Sequence, residues 1–120
     1  MRILIIDDER AVAHALADAL KLEGHVPAVA HSLSESLAAI DAETPEAVFL
    51  DLVMPGLSGV DVLRRIREHH PALPVVVVTG QTEPIELDEL RELGVTDIVE
   101  KPWALKQLGE ALDRLQTEDV

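Results

Sequence analysis

Polar and charged side chains stand at the ends of four short aliphatic runs in this sequence. Asp7 and Asp8 follow one run, Asp51 a second, Thr79 a third and Lys101 a fourth. Together they supply an acceptor carboxylate, further carboxylates, a hydroxyl and a cation, which is the set that phosphoryl transfer requires. If the four runs are neighbouring parallel strands, these side chains gather at one edge of a sheet.

Three carboxylates at one edge repel one another, and Lys101 alone cannot offset them. A divalent cation completes such a set, and oxygen ligands in a shallow, wet site suit Mg²⁺. Structural explanations also exist, because Asp7 or Asp8 could cap a helix and Thr79 could belong to a turn. Lys101 could be a solvated surface lysine. A single phosphoryl and Mg²⁺ site accounts for all of these residues at once.

Five short runs have the length and the β-branched character of buried strands. Pro27, inside the second run, cannot donate to a ladder, so that strand is expected at a sheet edge. The predicted strands are Ile3–Ile6, Val26–Val29, the run that ends at Asp51, Val75–Val78 and Val95–Val99.

Five amphipathic helices are predicted, one after each strand, where apolar residues recur at helical spacing. Ser32 or Ser34 can cap the second helix. Three arginines of the third helix, Arg64, Arg65 and Arg67, are expected to face water. The apolar positions are Val12, Leu16, Ala19 and Leu20; Leu33, Leu37 and Ile40; Val60, Leu63 and Ile66; Ile85, Leu87, Leu90 and Leu93; and Leu105, Leu108, Leu112 and Leu115.

This alternation predicts an α/β fold, a doubly wound five-stranded parallel sheet with helices on both faces. With the Pro27 strand at the edge, the simplest order is 2-1-3-4-5, the flavodoxin-like (βα)5 arrangement. Its switch point lies between the first and third strands, where Asp7, Asp8 and Asp51 then meet. One domain is expected over residues 1–120, with a polar tail or the start of a linker at residues 116–120.

Composition restricts the function further. The chain has 120 residues, no cysteine and a formal net charge of -13. Clustered cations bind nucleic-acid backbones, so no direct contact between this domain and nucleic acid is expected. No apolar run is long enough to cross a membrane and none forms a signal-peptide core, and a chain without cysteine fits a reducing compartment. A cytoplasmic location is therefore expected, without membrane contact.

Four motifs resemble the receiver domains of bacterial two-component response regulators, over essentially the whole chain. They are IIDDE at Ile5–Glu9, FLDLVMPGLSG at Phe49–Gly59, VVVTG at Val76–Gly80 and GVTDIVEKP at Gly94–Pro102. The resemblance implies a signalling phosphoacceptor, which catalyses only its own phosphorylation and dephosphorylation. It implies that Asp51 receives a phosphoryl group from a phosphohistidine on a sensor histidine kinase or a histidine phosphotransfer protein.

The resemblance also assigns a metal site. It implies that Asp7, Asp8, Asp51 and the backbone carbonyl of Val53 hold Mg²⁺, directly or through water. Phosphorylation is then expected to reshape the face made by the fourth helix, the fifth strand and the fifth helix. That face contacts an output domain or a partner protein, and a homodimer is left open.

The resemblance further implies that Thr79 and Lys101 bind the phosphoryl oxygens. It also makes the peptide between Lys101 and Pro102 a candidate cis bond. One position departs from the family pattern. Receivers usually carry Tyr or Phe three residues before the lysine, where this sequence has Ile98. Isoleucine is stiff at χ1 and has no hydroxyl to leave in water. We therefore expect Ile98 to stay buried in one rotamer, and activation to shift residues 79–93 instead.

The five histidines are not expected at the acidic edge. They fall on predicted helix surfaces or connections, where solvated histidines are common. They are His14, His25, His31, His69 and His70.

Three other functions fit parts of the pattern. A phosphatase of the haloacid dehalogenase type needs an acid two residues after its nucleophile, where this chain has Val53. A flavodoxin-like nucleotide-binding domain needs a Gly, Ser or Thr loop where this chain has Asp7 and Asp8. A receiver-like interaction domain that is not regulated by phosphorylation remains the open alternative.

Overall fold

A computed structural model describes residues 1–54, 57–79, 84–100 and 105–118 of the chain. The strands of the main sheet alternate with helices through this part of the sequence, as predicted, and two further short strands precede the third helix. In chain order they are β1 (Arg2–Ile6), α1 (Arg10–Leu22), β2 (Val26–Ala30), α2 (Leu33–Ala42), β3 (Ala47–Asp51), β4 (Val53–Met54), β5 (Leu57–Ser58), α3 (Gly59–His69), β6 (Val75–Thr79), α4 (Pro84–Glu92), β7 (Asp97–Glu100) and α5 (Leu105–Glu118).

The main sheet has five parallel strands in the order β2-β1-β3-β6-β7. Counting only these five strands along the chain gives 2-1-3-4-5, which confirms the predicted fold class. One face of the sheet packs against α1 and α5, and the other packs against α2, α3 and α4. Because both faces are covered, consecutive strand residues such as Phe49 and Leu50 are both fully buried, on opposite sides of the sheet.

Strand register determines which residues meet at the carboxyl edge of the sheet. Ile6 pairs with Leu50 of β3 and with Ala30 of β2. Asp51 pairs with Val78 of β6. The residues that follow β1 and β2 therefore lie level with the end of β3.

Pro27 occupies the edge strand, as predicted, and it also faces the open side of that strand. The Val26 N–H donates to the Met1 carbonyl and the Ala30 carbonyl accepts from the Asp7 N–H, so alternate residues from Val26 bond to β1. Pro27 belongs to the other set, whose backbone groups point away from the sheet. Proline there removes an exposed N–H that another strand could pair with.

The elements differ from the predictions in several places, and the first, second and fourth predicted strands each gain one residue. The short antiparallel pair β4–β5 was not anticipated from the sequence. The last sheet strand begins at Asp97 rather than Val95, because the Val95 N–H bonds the Leu90 carbonyl and completes the turn after α4. Helix α5 continues through Glu118, so residues 116–118 are helical instead of a polar tail. None of the described helices has the length and apolar composition needed to cross a membrane.

The buried faces of helices α1 and α2 include more positions than the predicted apolar residues. In α1, Ala13 and Ala17 are buried, whereas Val12 is only partly buried. In α2, Ser36 is fully buried and donates from Oγ to the Ser32 carbonyl at 2.6 Å. Small residues let both helices approach the sheet closely, which widens the contact beyond one line of aliphatic side chains. The α2 cap is Ser32, whose side chain accepts from the Glu35 N–H.

Arg67 does not face water as predicted. It is half-buried, and its guanidinium donates to four backbone carbonyl oxygens. Leu93 and Gly94, just after α4, supply two of them at 2.6 and 3.2 Å. His70 and Leu73, just after α3, supply the others at 3.1 and 2.6 Å. Arg67 thus satisfies carbonyls that helix ends leave without partners and joins the two connections.

His25 also departs from the expected solvated state. Its side chain is buried, and Nδ1 lies 3.0 Å from the Met1 ammonium nitrogen. Burial lowers the pKa of His25 below its ordinary value of 6.5, and the positive charge of the chain terminus lowers it further. Glu23 and Glu46 act in the opposite direction but do not reverse the shift.

The lowered pKa predicts a pH-dependent stability. Below about pH 6.5 the unfolded chain binds a proton at His25 that the folded chain binds only at lower pH, so the free energy of unfolding falls as the pH falls. Urea unfolding at pH 7.5 and 5.5 should show a smaller pH effect in His25→Gln than in the wild type. His14→Gln, at an exposed position of α1, is the control. An equal pH effect in all three proteins would contradict the prediction.

Gly59 is expected to be the least replaceable described glycine. A Cβ at this position would lie 2.3 Å from the Leu52 Cα and 2.7 Å from the Asp51 carbonyl oxygen, both backbone atoms. Gly59→Ala should therefore destabilise the domain by about 1–3 kcal/mol. Gly109→Ala meets nothing within 4 Å on α5 and should stabilise it by about 0.5–1 kcal/mol. Urea unfolding measures both, and a Gly59→Ala protein as stable as the wild type would refute the close-contact argument.

Candidate functional site

Three aspartates meet at the carboxyl edge of the sheet. Asp7 and Asp8 follow β1, and Asp51 is the last residue of β3. One carboxylate oxygen from each lies within 4.8 Å of the others. Asp7 is 4% exposed and Asp51 3% exposed, whereas Asp8 is partly open to solvent. The sequence therefore predicted correctly that these three side chains come together.

Backbone hydrogen bonds hold Asp7 in this position. Its N–H donates to the Ala30 carbonyl at 3.1 Å, which extends the pairing of β1 with β2 by one bond. Its Oδ1 accepts from the Glu9 N–H at 2.9 Å, an Asx turn that leads into α1. Asp7 does not cap α1, because the N-cap is Glu9 and no described side chain bonds the first-turn N–H groups. Its carboxylate orders the turn before the helix and belongs to the acidic cluster.

The Asp8 carboxylate differs from that of Asp7 in its hydrogen bonds. Its Oδ1 is buried and has no hydrogen-bond partner among the residues that the structure describes. An unpaired buried carboxylate oxygen is costly, more so beside two other carboxylates. A cation bound among the three aspartates would satisfy that oxygen and reduce the repulsion. Oxygen-only donors with one solvent-open member fit Mg²⁺, which retains waters.

The segment after Asp51 folds back against the site. The Gly59 N–H donates to the Leu52 carbonyl at 2.9 Å, so α3 starts next to the end of β3. Val53, whose carbonyl the sequence analysis assigned to the metal, lies in β4 two residues beyond Asp51. Its role as a ligand stays a prediction.

The phosphoryl-binding residues are located only in part. Thr79 ends β6 and follows Val78, which pairs with Asp51, so its backbone lies at the same edge as the aspartates. The Thr79 side chain falls outside the described part of the structure. Lys101 and Pro102 also lie outside the described residues, so the cation and the candidate cis bond stay predictions.

Ile98 lies in β7, where it pairs with Val77. It is partly rather than fully buried and packs against the core on the α2, α3 and α4 side of the sheet. The preceding Asp97 accepts from the Ile98 N–H at 2.8 Å and pairs with Arg114 of α5 at 2.5 Å. This pair joins β7 to α5 one residue from the predicted switch position.

One histidine does reach the acidic edge, contrary to the prediction. His31 follows β2, and its Nδ1 lies 2.9 Å from the Asp7 carbonyl oxygen. The sequence could have indicated this contact, because His31 comes shortly after a predicted strand and the carboxyl ends of neighbouring parallel strands lie at one edge of the sheet.

Comparisons with known sequences agree with this geometry. A family model described as the response regulator receiver domain matches residues 3–113. The response regulator MprA of Mycobacterium avium is 37% identical over 108 residues, which cover 90% of this chain and 47% of that protein. The chain thus spans about half the length of the curated relatives it matches.

Solved structures show the same fold. A response regulator receiver domain protein (CheY-like) from Methanospirillum hungatei has a TM-score of 0.91 and 25% identity, covering 98% of this chain and 95% of that chain. NtrX from Brucella abortus has a TM-score of 0.88 and 34% identity, covering 98% of this chain and 28% of that chain. The family match runs from β1 into α5 and includes the three aspartates at the sheet edge, so this chain belongs to the response regulator receiver domain family.

Proposed function

We propose that this receiver domain accepts a phosphoryl group on Asp51 from a phosphohistidine, with Mg²⁺ bound among Asp7, Asp8 and Asp51. The observation that carries the proposal is the convergence of the three carboxylates within 4.8 Å at the end of the central strand. The donor would be a sensor histidine kinase or a histidine phosphotransfer protein. The domain would act as a signalling phosphoacceptor and not as a metabolic enzyme.

Asp51 is suited to the acceptor role by its position. A carboxylate oxygen of Asp51 attacks phosphorus, the N–P bond breaks, and the bonding electron pair leaves with the donor imidazole. Burial of Asp51 to 3% exposure limits the access of water to the resulting acyl phosphate. The strand ladder on both sides of β3 holds the acceptor still, which favours an in-line approach.

The metal would be held by Asp7, Asp8, Asp51 and the Val53 carbonyl, directly or through water. When bound, Mg²⁺ neutralises the carboxylates and the phosphoryl oxygens. Oδ1 of Asp8 is buried without a hydrogen-bond partner in the described part of the chain, which supports a ligand role for this residue. Its solvent-open side leaves room for the waters that Mg²⁺ retains.

The remaining site residues are assigned from the family pattern. Thr79 would donate its hydroxyl to a phosphoryl oxygen, and Lys101 would pair with another, next to the candidate cis bond at Pro102. The position of Thr79 at the end of β6 supports its role. Lys101→Met keeps most of the length of the side chain and removes its charge. Phosphorylation of this variant without loss of partner response would refute the assignment.

Output would use the face formed by α4, β7 and α5, toward an output domain or a partner protein. With Ile98 in place of an aromatic ring, we propose that activation shifts residues 79–93 while Ile98 keeps one rotamer. Packing of Ile98 against the core supports this. Methyl NMR of Ile98, with and without a beryllofluoride mimic of the phosphoryl group, measures it; a large change in χ1 populations with α4 still would contradict it.

The wider setting follows from the composition and the family. We propose that residues 1–120 form one receiver domain located in the cytoplasm. The net charge of -13 supports a domain that does not itself touch nucleic acid. A homodimer is left open in this proposal.

The acceptor assignment predicts one labelled residue. With a small-molecule phosphodonor and Mg²⁺, the wild-type chain should gain the mass of one phosphoryl group, stable in acid and lost in base. Asp51→Asn should abolish the gain, whereas Asp41→Asn, at an exposed position of α2, should keep it. Labelling of Asp51→Asn at the wild-type rate would refute the assignment. A wild-type chain that accepts no label from any phosphodonor would favour the alternative of an interaction domain that is not regulated by phosphorylation.

The metal assignment predicts a binding and a stability effect of Asp8. Calorimetric titration should show weak Mg²⁺ binding to the wild type and none to Asp8→Ala, while Asp18→Ala on the exposed face of α1 binds normally. Without Mg²⁺, Asp8→Ala should unfold at higher urea concentration, because it removes a like charge and a buried oxygen that has no hydrogen-bond partner among the described residues. Unchanged Mg²⁺ affinity in Asp8→Ala would move the metal site elsewhere.

A further inference from the structure

His31 touches the backbone of the acidic cluster. Its Nδ1 lies 2.9 Å from the carbonyl oxygen of Asp7. A carbonyl oxygen only accepts, so Nδ1 must donate the hydrogen. The ring is partly buried between β2 and the acidic segment, so this bond is shielded from full competition by water.

The backbone of His31 is anchored on α2. The His31 N–H donates to Oε2 of Glu35 at 2.7 Å, and the Glu35 N–H donates to Oγ of Ser32 at 3.2 Å. The two bonds run in opposite directions across the start of the helix, an arrangement close to a capping box. A side chain whose backbone is fixed in this way can position the group that it contacts.

The group it contacts is the peptide between Asp7 and Asp8. The Asp7 carbonyl belongs to the same planar unit as the Asp8 N–H, so its direction sets the start of the Asp8 residue. Asp7 is already fixed on its other side, by its N–H bond to Ala30 and by its carboxylate bond to Glu9. The bond from His31 fixes the remaining freedom of this peptide.

Asp8 is the member of the cluster whose backbone begins with this peptide. Oδ1 of Asp8 has no hydrogen-bond partner among the described residues, so backbone direction largely sets where that oxygen lies. Repulsion from Asp7 and Asp51 acts to turn the Asp8 carboxylate out of the cluster. A fixed peptide removes the backbone movement that would carry the Asp8 carboxylate away from the cluster.

We infer that His31 is a positioning residue for the metal site, which orients the Asp7–Asp8 peptide through its Nδ1 hydrogen bond and thereby holds the Asp8 carboxylate toward the cation. The inference rests on the proposed function, because it takes Mg²⁺ as the cation. It concerns the hydrogen bond donated by the ring and not the ring's charge. Groups that orient metal ligands in this way typically contribute 10- to 100-fold in affinity.

Two substitutions separate the hydrogen bond from the bulk of the ring. His31→Leu keeps an apolar side chain of similar size without a donor, and His31→Asn places an amide donor near the position of Nδ1. His14→Leu, at an exposed position of α1, controls for loss of a histidine. Each protein is titrated with MgCl₂ in a calorimeter, and its thermal unfolding is followed without metal. The Asp8 amide resonance is recorded by NMR, because it belongs to the peptide whose carbonyl accepts the bond.

The expected results differ for each variant. His31→Leu should bind Mg²⁺ about 10-fold more weakly and shift the Asp8 amide resonance. His31→Asn should restore most of both, and His14→Leu should match the wild type. Wild-type affinity in His31→Leu would overturn this inference alone. Equal loss of affinity in His31→Leu and His31→Asn would also overturn it, because the ring's packing and not its donated bond would then matter. A wild-type chain that does not bind Mg²⁺ would overturn the proposed metal site and this inference with it.

Discussion

The parallel pairing of β1 with β3 is the constraint on which the rest of this structure depends. Ile6 lies opposite Leu50, so the chain leaves β1 at Asp7 where β3 delivers Asp51. Apolar side chains on both faces of both strands hold this register, because any slip would break the packing against helices on two sides. The packing of apolar side chains, which have no reactive groups, therefore determines where the carboxylates meet.

Bringing the three carboxylates together lowers the free energy of unfolding, and backbone hydrogen bonds hold two of them in place despite the repulsion. Three carboxylates within 4.8 Å destabilise the domain in the absence of a cation. Asp7 is secured by bonds to Ala30 and Glu9, and Asp51 by its place in the ladder. Oδ1 of the Asp8 side chain is buried and has no hydrogen-bond partner among the described residues. A buried polar atom without a described hydrogen bond thus lies where a ligand is proposed, a pattern typical of functional sites.

Contacts between α3 and α4 connect this edge to the proposed output face. Arg64 of α3 pairs with Glu89 of α4 at 2.6 Å, and Arg67 bonds the carbonyls of Leu93 and Gly94 just beyond α4. Helix α3 itself begins against the backbone of Asp51 and Leu52. Any displacement of α4 as a unit must break these bonds or carry α3 with it. The exposed Arg64 pair is the weaker of the two links, and the half-buried Arg67 the stronger.

The sequence alone determined the order of the five strands in the main sheet and the edge position of the Pro27 strand. It also determined that Asp7, Asp8 and Asp51 gather at one edge. Hydrophobic periodicity and strand ends are local patterns, and parallel topology turns them into neighbours without further information. Only the tertiary structure decided three other features. They are the burial of His25, the bonds of Arg67 to four carbonyls and the contact of His31 with Asp7. Each of these depends on how closely two elements approach and which way a long or polar side chain turns between them. A sequence pattern records which face a residue lies on, but not the backbone oxygen that another element brings within reach of it.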